Sequence, residues 1–208
     1  AVSCAAACLL AVIVLPALAA LAALGLAGTA QAVPSLYPTG TVKYDPTKAY
    51  GGYLLIGSDV PRLVDMNGNL VKEWSGYNGM PNKVLPGGRL LTSPGTWSEG
   101  QQDNLALLEL DFDGNTLWEF RKGELVPAVK GQPVQDGKTW IARQHHDFQR
   151  KGTPPYPVPG QSDGQGEVTL VLAHINERVE LVNKEDQLVS DIFYEVDAKG
   201  EIVWSWKP

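Results

Sequence analysis

Cysteine is nearly missing from this 208-residue chain, and its two copies, Cys4 and Cys8, both fall at the extreme N-terminus. Everything after Cys8 can therefore form no disulfide within itself and has no thiol chemistry. Charge is missing from residues 1–32 altogether. Residues 5–27 are almost unbroken Ala, Leu, Val and Ile, and Ala30-Gln31-Ala32 supplies a small-x-small cleavage pattern. That combination predicts a secretory signal ending before Val33 or, because the apolar run is long enough to span a bilayer, a retained membrane anchor through residues 5–27. Either way the remainder faces an exported compartment, periplasmic or extracellular. A basic stretch is missing too. The 17 Lys and Arg against 23 Asp and Glu leave a formal charge of −6, carried wholly by residues 33–208, which argues against nucleic acid as a partner. The last absence is a helical apolar period: beyond the leader the pattern is of short, extended, turn-punctuated segments, and the expected class is all-β.

What is present is one phrase used three times. Asp65-Met66-Asn67-Gly68 is followed by Trp74, Asp111-Phe112-Asp113-Gly114 by Trp118 and Phe120, and Asp197-Ala198-Lys199-Gly200 by Trp204 and Trp206. Asp-x-x-Gly is a turn in which glycine takes the positive φ that other residues avoid. Aromatics two apart share one face of the strand leaving the turn. A repeated hairpin implies a repeat architecture, and the aromatics are expected to be core between its units.

Residues 53–56 form a strand candidate. Residues 83–85 and 89–92 make a hairpin across Pro86-Gly87-Gly88, and residues 105–110 and 115–120 another across Asp113-Gly114. Together these two hairpins form a four-stranded antiparallel unit, the size of a propeller blade. A second unit has strands at 144–149, 168–174, 191–196 and 201–206. The Asp-to-Asp spacing is 46 residues between the first two copies and 86 between the next two; the surplus falls in 121–140 and 151–166, both expected to be loops. The chain stops just after the third copy without a capping element, so residues 33–208 read as the front of a longer β-propeller, about two blades of it.

All three histidines lie in the second unit: His145 and His146 in Arg143-Gln144-His145-His146-Asp147-Phe148-Gln149, and His174 in Leu172-Ala173-His174-Ile175. Adjacent histidines on a strand point to opposite faces, so His145 and His146 chelate one metal only if the backbone bulges. His145 and Asp147 can share a face, but two ligands do not complete a metal site, and no metal or other cofactor is expected. Imidazole can instead do acid–base or nucleophilic work, with a carboxylate to orient it and Arg143 to hold an anion. His174 is read as a strand residue.

Four stretches resemble the bacterial aryl-sulfate sulfotransferases that do not use a nucleotide sulfate donor. They are Val42-Lys43-Tyr44-Asp45-Pro46-Thr47-Lys48-Ala49-Tyr50-Gly51-Gly52-Tyr53, Leu63-Val64-Asp65-Met66-Asn67-Gly68-Asn69-Leu70-Val71, His145-His146-Asp147-Phe148-Gln149-Arg150, and Tyr194-Glu195-Val196-Asp197-Ala198-Lys199-Gly200-Glu201-Ile202-Val203-Trp204. The resemblance implies a six-bladed propeller with its active site in the central channel, small phenols and aryl sulfates as substrates, and transfer through a sulfurylated histidine. It implies channel-lining and substrate-contacting roles for His145, His146 and Asp147, and a nucleophile in a later blade, beyond Pro208. The competing readings are a non-catalytic exported propeller that binds a ligand, and a quinone-cofactor or sugar-processing propeller. The last should show carboxylate pairs or metal ligands near the starts of blade strands, and no convincing set stands out in the sequence.

Overall fold

The computed structural model describes residues 41–57, 59–96, 103–153, 162–178 and 188–208; the expected leader at 1–32 lies outside them. The described residues are all-β, with thirteen strands in four antiparallel sheets. A three-stranded sheet holds β1 (Tyr53–Gly57), β2 (Pro61–Asp65) and β3 (Leu70–Glu73). The next has four strands in chain order: β4 (Lys83–Leu85), β5 (Arg89–Thr92), β6 (Leu107–Leu110) and β7 (Thr116–Phe120). A two-stranded hairpin follows, β8 (Glu124–Pro127) and β9 (Lys138–Ile141). The last sheet is again a four-stranded meander: β10 (Gln144–Arg150), β11 (Thr169–Glu177), β12 (Leu188–Val196) and β13 (Ile202–Trp206).

Both four-stranded units expected from the hairpins are present. The hairpin β8–β9 corrects the expectation that residues 121–140 are a loop. Thr139 and Ile141 alternate inward with Lys138 and Trp140 outward, and Val126 joins Ile141 and Leu105 in a small core of its own. A short half-buried strand pair needs no more than that alternation. Its turn uses positive φ at Gly131, Asp136 and Gly137.

All three Asp-x-x-Gly turns form alike. Gly68, Gly114 and Gly200 have φ of 86°, 99° and 78°, and each donates its N–H to the carbonyl of the leading aspartate at 3.0–3.1 Å. The aspartate side chain accepts the backbone N–H four residues on, from Asn69 and Asn115 at 2.8 Å and from Glu201 at 3.0 Å. Aspartate is needed because its short carboxylate can fold back on the turn it opens. The Asn69 and Asn115 side-chain amides also donate to Asp65 and Asp111, at 2.9 and 2.8 Å. These amides, and then the backbone bonds, hold those two carboxyls below their ordinary pKa; for Asp197 the backbone bonds from Glu201 and Lys199 do so.

Each turn also locks to the unit before it. Trp74, leaving the first turn, meets Phe112 of the second edge-on at 5.9 Å. Trp118, leaving the second, donates its indole N–H to the Asp197 carbonyl of the third at 2.9 Å. Gly200 lies so near β7 that a Cβ there would stand 2.2 Å from the Glu119 carbonyl oxygen. Glycine is therefore required twice at this position, by φ and by close approach.

The middle sheet is covered on both faces. Leu90, Leu108 and Leu110 pack with Leu63 and Trp74, while Leu91, Leu107, Trp118 and Phe120 pack with Phe148, Val171, Ala173, Ile192, Tyr194 and Val196 of the last sheet. All residues of β5 and β6 are buried, and β6 is apolar apart from Glu109, as expected of a strand covered on both faces. An ion cluster crosses the same junction. Glu109 of β6 pairs with Arg89 and, at 3.0 Å, with Arg150 of β10, and all three are buried. Arg150 also donates to Thr169 Oγ1 at 2.6 Å and lies over the Trp118 ring at 4.8 Å.

Candidate functional site

The site grows from a break in the ladder between β10 and β11. Gln144 pairs with Ala173 and Phe148 with Val171, so three residues, His145, His146 and Asp147, face the single residue Leu172. The chain absorbs the surplus by taking φ of 51° at Arg143 and 53° at His146, left-handed values that side chains seldom adopt. The segment before β6 holds the bulge from the other side, with the Asn104 N–H donating to the Gln144 carbonyl at 2.8 Å and its amide to the same oxygen at 2.9 Å.

The bulge separates the two histidines. His145 turns inward and is 3% exposed, while His146 stays exposed with its ring edge-on to His145 at 5.0 Å. Asp147 is exposed as well, and its carboxylate meets Lys83 Nζ at 2.7 Å. Of the phrase read from the sequence, His145 alone enters the buried cluster.

Its neighbours there come from elsewhere. His174 of β11 stacks on His145 with ring centroids 3.7 Å apart and planes 21° apart. Asp191 of β12 is the direct cross-strand partner of His174, and its Oδ1 lies 3.2 Å from His145 Nε2 and 3.6 Å from His174 Nε2. Behind them stands Asp103, fully buried. One of its oxygens is bonded to His174 Nδ1 and the other accepts from Arg143 Nε at 2.7 Å. Arg143 also reaches Glu124 of β8, so the guanidinium expected to hold an anion is engaged by two carboxylates. Burial pushes the His145 pKa below its ordinary value; His174 and His146 add to this and Asp191 opposes it. His145 is thus neutral at neutral pH.

Asp191 and Asp103 were not singled out from the sequence, and His174 was read there only as a strand residue. One signal was present: with strands at 168–174 and 191–196, a hairpin brings the end of one opposite the start of the other, which is where His174 and Asp191 stand. No such signal existed for Asp103, which reaches His174 across 71 residues of chain.

No protein-family model, curated protein or solved structure matches this chain.

Proposed function

We propose that this chain belongs to an exported β-propeller aryl-sulfate sulfotransferase, moving a sulfuryl group from an aryl sulfate to a phenol through a sulfurylated histidine. The observation that carries the reading is the site of the His-His-Asp-Phe-Gln phrase: it sits on a bulge that buries one imidazole against another, with carboxylates at their edges. A neutral imidazole keeps the lone pair needed to attack sulfur or to accept a phenol proton. The propeller itself is supported by three stacked sheets in which Trp74 and Trp118 each seat on the turn of the next unit.

In the first half-reaction an imidazole nitrogen bonds to sulfur as the S–O bond to the aryl group breaks, and the aryloxide departs with the electron pair. In the second the acceptor phenol gives its proton to a base, bonds to sulfur and releases the imidazole. The sequence resemblance gives the attack to a histidine of a later blade. His145, His146 and Asp147 then line the channel, with His174 behind His145. A second reading, a propeller that binds a ligand without turnover, is favoured by Arg143: its contacts to Asp103 and Glu124 compete with any sulfate oxygen.

The test is release of nitrophenol from a nitrophenyl sulfate by the full natural chain, with and without a phenol acceptor. Transfer predicts release only when acceptor is present, reduced roughly 100-fold or more in His145→Ala. A folded wild type that releases none under either condition rejects transfer and leaves the binding reading.

A further inference from the structure

His145 and His174 pose an electrostatic problem that hydrogen bonding inside the cluster does not solve. His145 is 3% exposed, and neither of its ring nitrogens has a hydrogen-bond partner among the described residues. The 3.2 Å approach of its Nε2 to Asp191 Oδ1 is close in distance but lacks hydrogen-bond alignment. A buried polar group left in that state is destabilising. On His174 the Nδ1–H donates to the buried carboxylate Asp103, which leaves the Nε2 lone pair facing the same Asp191 oxygen. Two imidazole nitrogens and a carboxylate oxygen thus lie together with no hydrogen bond aligned between them.

We propose that His145 Nε2, His174 Nε2 and Asp191 Oδ1 bind a first-row divalent transition-metal cation of the zinc class, with Asp103 as the carboxylate that orients His174. The three ligand atoms all lie within 4.8 Å of one another. A tetrahedral ion with bonds of about 2.0–2.1 Å has ligand-to-ligand edges of about 3.3 Å. The 3.2 and 3.6 Å separations from Asp191 Oδ1 bracket that edge. The two rings are stacked 21° from parallel, and imidazole lone pairs lie in the ring planes, so binding requires one ring to rotate until both Nε2 atoms point at a common centre. Carboxylate–histidine–metal is the arrangement that fixes a ligand tautomer and raises its basicity, and Asp103 stands where such a carboxylate belongs. Charge agrees as well: Asp103, Glu124 and Asp191 against Arg143 leave two net negative charges around the cluster, which a divalent cation neutralises. Imidazole with one carboxylate suits zinc and its neighbours better than magnesium or calcium, which prefer all-oxygen shells. Three protein ligands leave a fourth coordination position for an external oxygen. The site stands independently of sulfuryl transfer.

The test is titration of the chelator-treated full chain with Co2+, in a Cys4→Ser, Cys8→Ser background so that thiolates cannot answer for imidazoles. The expected result is the visible absorption of four-coordinate Co2+, saturating at one equivalent and displaced by Zn2+. Asp191 is half-exposed, so Asp191→Asn keeps the fold and should abolish that band. Asp103→Asn should weaken binding roughly 10–100-fold while retaining the spectrum. A folded protein that shows no four-coordinate band overturns the proposal, as does a band that survives Asp191→Asn unchanged. Because the readout is binding, failure of the nitrophenyl sulfate assay leaves it unaffected.

Discussion

Trp118 of β7 and Trp204 of β13 stand at the same place, four residues past the glycine of an Asp-x-x-Gly turn, yet Trp118 is 8% exposed and Trp204 is 47% exposed. The two sheets that carry them share strand order, antiparallel pairing and a register shift in the closing hairpin. They differ at both ends. The opening hairpin of the first, β4–β5, is regular, whereas β10 bulges against β11. The closing strand of the first is covered by the last sheet, whereas every residue of β13 is exposed among the described residues. The repeated phrase therefore specifies a turn and a strand, and burial of its aromatics depends on what is stacked against that strand. Irregularity and chemistry coincide: the sheet with a regular opening strand has no histidine, and the bulged one holds all three.

The junction between these sheets offers the sharpest ways to challenge the comparison. Glu109→Ala leaves Arg89 and Arg150 buried without their carboxylate. It should cost about 3–5 kcal/mol, read as a lower denaturation midpoint in urea. A cost below about 1 kcal/mol would show that the ion cluster does not tie the sheets.

Equivalent substitutions at the two tryptophans should differ. Trp118→Phe removes the indole hydrogen bond to the Asp197 carbonyl, which keeps the one from the Gly200 N–H, and should cost about 0.5–1.5 kcal/mol. Trp204→Phe, on an exposed strand, should stay within about 0.5 kcal/mol. Equal losses in the same unfolding experiment would mean that the outer strand is covered as the inner one is.

The turns themselves should behave alike in both sheets. The folded pKa of Asp111 and Asp197 lies below the unfolded value, so the ionised carboxylate favours the fold. That contribution is complete above the unfolded pKa of about 3.9 and disappears as pH falls through the folded value. Asp111→Asn and Asp197→Asn keep an acceptor oxygen without the charge. Each should flatten the acid limb of thermal stability slightly and to a similar extent, measured as melting temperature against pH. If only Asp111→Asn does so, the two turns are not equivalent.

Much of the strand plan was legible because it rests on short-range chemistry. Asp-x-x-Gly gives the positive φ and the side-chain cap within five residues, and the Leu90-Leu91 and Leu105–Leu110 runs carry the signature of a sheet buried on both faces. The β8–β9 hairpin was not legible, since its core is only Leu105, Val126 and Ile141, with Val129 partly buried, and its turn has no Asp-x-x-Gly. Of the site, the His145-His146-Asp147 phrase drew attention to the right strand, but strand alternation could not say which member turns inward. That choice follows from two left-handed residues and a ladder break, which depend on the pairing with β11 and the bonds from Asn104.

The amino-acid sequence on its own settled the all-β class, the three turns and the two four-stranded meanders, because turns and alternation are enforced by neighbours in the chain. Tertiary structure alone decided that Trp118 packs against the last sheet, that Arg143 binds Asp103 and Glu124, and that His174, Asp191 and Asp103 gather around His145. Those contacts join segments tens of residues apart, and their geometry depends on which strands pair and which sheets stack.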